Sequence, residues 1–242
     1  VPEVDQQLMD YFGVSDPVAL LECLGDDFRT VSPAYCGPEL RTFPDGSWEG
    51  LWGERYNYVS FGNGVYREAV YLPFAEITDV AELSAYHFPS AEWFDYSTIR
   101  DQCERFADYA IVLGKPGDMD LINGIARCRG VAQVFQDIAV EDPVYLSLVE
   151  RRYRFFYDMH EQALRAAGGR IDIVHVGEDF GTQKGLLISP RAFERMFAPL
   201  YSAFFAMVHR YGALTMLHSC GSVRALIPQL IELGLDILDV VQ

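Results

Sequence analysis

Basic residues are scarce in this 242-residue sequence. It has 19 Lys and Arg against 35 Asp and Glu, which gives a formal net charge of −16, and no segment concentrates the basic residues. A protein that neutralises nucleic-acid phosphates or an anionic membrane surface needs clustered positive charge. We therefore expect neither nucleic acid nor a membrane as a partner.

Paired cysteines and long hydrophobic runs are also missing. The five cysteines are widely scattered and show no C-x-x-C spacing, which argues against a disulfide framework and against a zinc ribbon. The longest apolar runs, such as AFFAMV, are far shorter than the roughly 20 residues that cross a bilayer, and no basic-then-apolar leader opens the chain. These absences predict a cytoplasmic protein.

The sequence does contain an alternation of strands and helices. Half of its residues are hydrophobic, which is enough for one sizeable core. Helical periodicity is clearest over 143–167 and 190–210. The strand-like runs are apolar almost throughout, as in parallel strands covered on both faces; they lie at roughly 28–32, 109–114, 171–177, 213–218 and 236–241.

Repeated strand and helix units with short connections fit an open doubly wound sheet or a closed (β/α)8 TIM barrel. An open sheet should carry a glycine-rich phosphate-binding turn, and the one candidate, GKPGDMDLING, matches neither G-x-G-x-x-G nor a P-loop. The sequence therefore favours the α/β barrel. Because five strands cannot close it, we expect a single partial barrel domain over 1–242, with strands missing at one or both ends and possible pairing into a homodimer through the open edge.

Two additions to the barrel are predicted near the start of the chain. Two short helical patterns form a helical lead-in over 1–27. Asn63-Gly64 stands between two aromatic and β-branched runs, which is a strong signal for a tight turn, and it predicts a β-hairpin insertion at about 52–73.

The stretch TMLHSCGS carries the clearest candidate site. In a barrel, functional residues collect at the carboxyl ends of the strands. His218 and Cys220 are two residues apart at such an end, so both side chains can project from one face of an extended backbone. Imidazole nitrogen and thiolate sulfur are ligands that zinc accepts, but a catalytic zinc needs three protein ligands. A hydrogen-bonded histidine beside a buried thiol is the alternative interpretation.

Other polar residues are assigned to the same end of the predicted barrel. Glu178 and Asp179 follow a strand, where they could act as general acid or base, bind a polar substrate or supply a third metal ligand; loop solvation or helix capping is the alternative. The candidate substrate-binding residues come from the same strand-to-loop regions: Asp27, Gly114, Gly117 and Gln183.

Two longer segments resemble a known family. MLHSCGSVRALIPQLIELGLDILDVVQ and GEDFGTQKGLLISPRAFERMFAPLY are similar to segments of the uroporphyrinogen decarboxylase superfamily, in the branch that looks like zinc-dependent, cobalamin-linked methyltransferases. The similarity covers most of the chain from about residue 105 onward.

The resemblance implies a (β/α)8 barrel and a zinc ion held by His218, Cys220 and a distant cysteine that would lie beyond Gln242. It also implies transfer of a methyl group between a corrinoid such as methylcobalamin and a small-molecule thiol, with a corrinoid protein as a possible partner. Decarboxylases of the superfamily instead clamp a tetrapyrrole with an amino-terminal arginine pair and lack H-x-C; Arg29 and Arg41 do not form such a pair, although Asp27 could match their pyrrole-binding aspartate.

Three hypotheses follow from the sequence. The first is a zinc-dependent methyltransferase with Glu178 and Asp179 lining its pocket. The second is a tetrapyrrole decarboxylase that acts on uroporphyrinogen without a metal. The third is a non-catalytic or truncated module that handles a corrinoid.

Overall fold

A five-stranded parallel sheet forms the centre of the protein. The computed structural model describes residues 2–62 and 64–240. The central strands are β1 (Phe28–Val31), β7 (Ala110–Gly114), β8 (Ile173–Gly177), β11 (Leu214–His218) and β12 (Ile237–Asp239). Their order in the sheet, β1-β7-β8-β11-β12, is their order in the chain, and every neighbouring pair is parallel. All five predicted strands are confirmed.

The remaining strands are short or belong to smaller sheets. They are β2 (Ala34–Tyr35), β3 (Trp48–Glu49), β4 (Arg55–Ser60), β5 (Val65–Tyr71), β6 (Phe94–Asp95), β9 (Gly181–Thr182) and β10 (Gly185–Leu186). Strands β3, β4 and β5 form an antiparallel sheet, so the predicted hairpin insertion is present. Asn63 of the predicted turn lies outside the described residues.

Helices occupy both ranges that the periodicity predicts, 143–167 and 190–210. The helices are α1 (Pro2–Phe12), α2 (Pro17–Leu24), α3 (Ile99–Arg105), α4 (Asn123–Arg129), α5 (Val131–Val140), α6 (Pro143–Ala167), α7 (Pro190–Ala192), α8 (Ala198–Arg210) and α9 (Ile227–Glu232), with a π-helical segment (Phe193–Phe197) joining α7 to α8. Helices α1 and α2 are the predicted lead-in. No helix within the described ranges is long and apolar enough to cross a membrane.

Local capping chemistry explains the helix starts. The Asp142 carboxylate accepts the Val144 N–H (2.8 Å) and so caps the start of α6. Pro143 follows in the first turn of the helix, where a backbone N–H has no partner within the helix and its loss costs nothing. The Ser189 hydroxyl caps α7 in the same way. Pro228 also falls in a first turn, because α9 begins only at Ile227. Pro143, Pro190 and Pro228 therefore each mark the start of a helix.

One face of the central sheet is covered by helices α3, α6 and α8, which contact strands β1, β7 and β11. Alternate strand residues point into this layer and are almost completely buried, as expected for a parallel sheet packed against helices. Val31, Leu113, Val174, Val176 and Leu217 are each no more than 1% exposed.

The opposite face of the sheet is far less covered. Phe28 is 48% exposed and Leu214 is 47% exposed, and Met216 and Ile237, which are register partners on this face, are partly exposed. Val112 and Ile173, in the middle of the same face, are buried. The same face carries the side chains of His175 and His218 at its carboxyl edge. The candidate site therefore lies at the rim of the uncovered face.

Candidate metal centre

The sequence motif H-x-C ends strand β11, and the acidic pair follows strand β8. His218 is the last residue of β11, and Cys220 lies two residues further on. Asp179 lies two residues after Gly177, where β8 ends. Because β8 and β11 are parallel neighbours, their carboxyl ends meet, and the Glu178 N–H donates to the carbonyl oxygen of His218 (3.0 Å).

Three potential metal ligands converge at this point. One ligand atom each from Asp179, His218 and Cys220 lie within 4.8 Å of one another. His218 Nε2 is 3.2 Å from the Cys220 sulfur and 3.7 Å from Asp179 Oδ1. The backbone N–H of Cys220 donates to that same Asp179 oxygen (2.8 Å). A nitrogen, a sulfur and a carboxylate oxygen can thus contact one ion from three directions.

The other ring nitrogen of His218 is occupied by a carboxylate. Nδ1 lies 2.9 Å from Asp239 Oδ2, at the end of the neighbouring strand β12, and a carboxylate can only accept, so Nδ1–H donates. This fixes the ring and leaves Nε2 for a metal, as in carboxylate–histidine–zinc arrangements. His175, His218 and Asp239 also form a possible ligand group. Since Asp239 already holds Nδ1, we regard it as the support of His218, with His175 Nε2 at 3.5 Å from the same oxygen.

The two loops that carry the ligands are packed backbone to backbone. The buried Ser219 hydroxyl accepts the Phe180 N–H (3.0 Å). Gly221 has φ +81°, and a Cβ there would lie 2.5 Å from the carbonyl carbon of Gly181. A side chain at this position is excluded both by conformation and by space. The glycine after the H-x-C motif is therefore required by the contact between the loops.

The pKa of the Cys220 thiol is raised above its ordinary value. Partial burial is the largest cause, and the carboxylates of Asp179 and Asp239 add to it because they repel a thiolate. The thiol is therefore protonated at neutral pH until a cation is present. A divalent ion at this position would reverse the local charge and release the proton.

Glu178 occupies a different environment from its neighbour. It is 1% exposed, and its carboxylate accepts the N–H groups of Ile122 (2.5 Å) and Asn123 (3.5 Å) at the start of α4. Burial raises its pKa well above the ordinary value, and the nearby Asp120 carboxylate raises it further. Of the predicted acidic pair, Asp179 faces the candidate ligands and Glu178 holds the backbone of another loop.

The predicted substrate-binding residues fall in three places. Gly114 and Gly117 line a cavity at the carboxyl ends of β1 and β7. Gln183 is exposed in the turn between β9 and β10. Asp27 precedes β1, and its carbonyl oxygen accepts the N–H of Ala110, the first residue of β7, so it lies at the amino edge of the sheet. The expectation that Asp27 lies at a strand's carboxyl end is corrected, because β1 runs from Phe28 to Val31.

Two residues of the centre were missed by the sequence reasoning. Asp239 supports His218, and the Asn123 side-chain amide donates to Asp179 Oδ2 (3.4 Å). Asp239 had a usable signal, because it is the polar residue near the end of the next apolar strand. Asn123 had none, because its approach to Asp179 depends on how the chain after β7 folds back.

The family resemblance receives no support from comparison with known proteins. No protein-family model matches the sequence, and no curated protein matches it.

Proposed function

We propose that this protein is a zinc-dependent methyltransferase that transfers a methyl group between a corrinoid and a small-molecule thiol. The observation that carries the proposal is the convergence of Asp179, His218 and Cys220 ligand atoms within 4.8 Å. The methyl-transfer chemistry itself comes from the resemblance of the segments around these residues to the methyltransferase branch of the uroporphyrinogen decarboxylase superfamily.

The residues present fit zinc. Zinc is bound by imidazole nitrogen at about 2.0–2.1 Å, by thiolate sulfur at about 2.3 Å and by carboxylate oxygen at about 2.0–2.2 Å, and a catalytic ion keeps one position for substrate. His218, Cys220 and Asp179 supply one donor of each kind. Asp179 can serve as the third ligand, a part that the resemblance gives to a cysteine beyond Gln242.

When bound, zinc would hold a thiol substrate as its thiolate, which is the nucleophilic form at neutral pH. The protein's own residues prepare this step. Asp239 keeps the His218 ring oriented by accepting its Nδ1–H (2.9 Å), and the Cys220 N–H together with the Asn123 amide keeps Asp179 in place. Because the His218 side chain is 22% exposed, a small thiol can reach the site from solvent.

A closed (β/α)8 barrel is part of the same proposal, and two observations support it. The strand order in the sheet follows the chain without reversal, whereas a doubly wound sheet reverses at its switch point. The uncovered face, with Leu214 at 47% exposure, would become the barrel interior. In such a barrel the candidate metal centre lies at the carboxyl mouth.

The test is to measure zinc and turnover on the same preparation. We expect about one zinc per chain, and loss of the methylcobalamin absorption spectrum when protein and a thiol are combined. His218→Ala and Cys220→Ser should abolish both, while Cys36→Ser, at an exposed loop cysteine, should change neither. Metal-free protein that releases carbon dioxide from uroporphyrinogen would overturn the proposal in favour of a decarboxylase. Zinc binding without any methyl transfer would overturn the proposed activity and indicate a non-catalytic metal-binding module.

A further inference from the structure

A cavity of about 450 Å³ opens at the carboxyl ends of β1 and β7, beside the candidate metal centre. Four aromatic rings, from the insertion, from the segment before α3 and from α6, form part of its wall: Trp52, Phe94, Phe155 and Phe156. Trp52 is only 6% exposed and meets Phe155 edge to face, with ring centroids 5.5 Å apart. Such a wall is suited to a flat apolar ring.

A buried cation also lines this cavity. Arg152 is 6% exposed, and its Nε–H donates to the carbonyl oxygen of Asp120 (2.6 Å). A Cβ added to Gly124 would lie 2.3 Å from Arg152 Nη2, so the guanidinium rests directly on the α4 backbone. Within residues 2–62 and 64–240, no carboxylate oxygen lies within the 4.0 Å ion-pairing distance of this guanidinium. The guanidinium carbon lies 4.9 Å from the centroid of the Trp52 ring and 5.2 Å from that of Phe156, and these rings stabilise the cation without supplying a counter-charge. A buried charge without a counter-charge is costly, so the site favours an anionic ligand.

The single acidic residue that lines the cavity does not supply this counter-charge. Asp118 Oδ2 faces His160 Nε2 at 3.4 Å, and His160 is completely buried. The other nitrogen of His160 lies 2.7 Å from the carbonyl oxygen of Phe156, to which it donates. Asp118 is thus directed to the histidine and leaves Arg152 available.

A second cation stands at the rim. Lys115 is exposed in the loop after β7 and lines the cavity, and it makes no ion pair with any residue that the structure describes. The chain contains only two lysines, and the other, Lys184, is exposed in the β9–β10 turn. Lys184 does not line the cavity. It is therefore a matched control for the charge of Lys115.

We propose that this cavity binds a small ligand with one or two flat apolar rings and one carboxylate, with the carboxylate paired to Arg152 and screened from solvent by Lys115. One buried monocation near Asp118 suits a single negative charge, and the guanidinium fork matches a carboxylate. The volume lies in the lower part of the range of about 300–1,000 Å³ for small-molecule sites, which suits one or two rings.

The cavity and the metal centre are connected through residues of four adjacent strands, β7, β8, β11 and β12. Gly114, which lines the cavity, is the register partner of His175. His175 Nε2 lies 3.5 Å from Asp239 Oδ2, and Asp239 accepts from His218. Binding of the carboxylate requires no metal. Only the further statement that this ligand is a substrate rests on the proposed function.

The experiment is a titration of the full chain with 2-naphthoate and with its neutral counterpart 2-naphthamide, followed by calorimetry and by tryptophan fluorescence. We expect naphthoate to bind at least tenfold more tightly than the amide, since only the acid can form a charge-assisted pair with Arg152. 2-Naphthyl phosphate, which carries a second negative charge, should bind more weakly than naphthoate. Arg152→Gln should lower the affinity for naphthoate to that for the amide, and it should leave the zinc content unchanged.

Lys115→Gln keeps the proposal testable if Arg152→Gln does not fold, because Lys115 is exposed and unpaired within the described chain. Lys115→Gln should weaken the binding of naphthoate about threefold, whereas Lys184→Gln should leave that binding unchanged. Equal affinities for acid and amide, no binding of either at millimolar concentration, or equal effects of the two lysine variants would overturn the proposal. Cys220→Ser should still bind naphthoate, which separates failure here from failure of the metal site.

Discussion

The carboxyl edge of the central sheet has two ends that differ in how they are built. At one end, His218 and Cys220 belong to a single turn of chain, and Asp179 is added by the loop of the neighbouring strand. At the other end, the cavity is assembled from segments far apart in sequence, from Thr30 to Met159. The first end is polar and contains potential metal ligands, and the second is aromatic with a buried arginine.

This difference teaches where chemistry can be recognised in a sequence. A pair of ligands at positions i and i+2 can be recognised in the sequence, because an extended backbone places both side chains on one face. A cavity with a buried cation has no such short pattern. If the two ends are separate sites, substitutions at one should leave binding at the other unchanged, and the following predictions test this separation.

The largest effect is expected at Cys220. Cys220→Ser should lower zinc affinity by more than 100-fold, because it removes a ligand itself and loss of an outer partner alone costs about 10–100-fold. Affinity is measured by competition with a chromophoric chelator, with Cys36→Ser as the control. A Cys220→Ser protein that keeps wild-type zinc affinity would show that the sulfur is no ligand.

Asp239→Ala should have the next largest effect, a loss of about 10–100-fold in zinc affinity, because His218 loses the acceptor that holds its Nδ1–H. The same chelator competition measures it. His175→Gln serves as the comparison, since His175 contacts Asp239 at 3.5 Å and not the proposed ion. Equal losses in the two variants would favour the alternative ligand group of His175, His218 and Asp239.

The smallest effect on zinc binding is expected at Glu178, which lies between the two ends and acts on stability instead. Its pKa is raised in the folded protein by burial and by Asp120, so the folded state binds the proton more tightly than the unfolded state. Its contribution to stability is complete below the unfolded pKa of about 4.3 and is lost as pH rises through the raised folded pKa. The free energy of unfolding should therefore fall with rising pH by up to about 1.4 kcal/mol per pH unit from this group.

Glu178→Gln should remove that part of the slope, because the amide keeps an acceptor for Ile122 without a charge. Denaturant unfolding from pH 5 to pH 8 measures the difference, with exposed Glu232→Gln as the control. A variant whose slope equals that of the wild type would mean that Glu178 is ionised in the fold. Binding of zinc and of naphthoate should both persist, as Glu178 faces neither ligand.

Much of the fold was predictable because the signals are local. Apolar runs located all five central strands, and helical periodicity located the helical segments that begin at Pro143 and Pro190. Asp27 was assigned to the carboxyl ends of the strands although the predicted strand at 28–32 already placed it before that strand, at the amino edge of the sheet, as the structure shows. Glu178 and Asp179 are adjacent in the sequence, and both were predicted to line the same pocket. Successive residues after a strand point in different directions, and only Asp179 lies beside His218 and Cys220.

The sequence by itself determined the alternation of strands and helices, the H-x-C pair, the acidic pair Glu178 and Asp179, and the absence of basic clusters. Only the tertiary structure decided that Asp179 joins His218 and Cys220, that Asp239 supports the ring, and that Glu178 is buried against Ile122. It also decided that Arg152 is a buried cation beside an aromatic cavity. The physical reason is that periodicity and capping act within a few residues, whereas ligand convergence and burial depend on which distant segments the parallel sheet brings to the same edge.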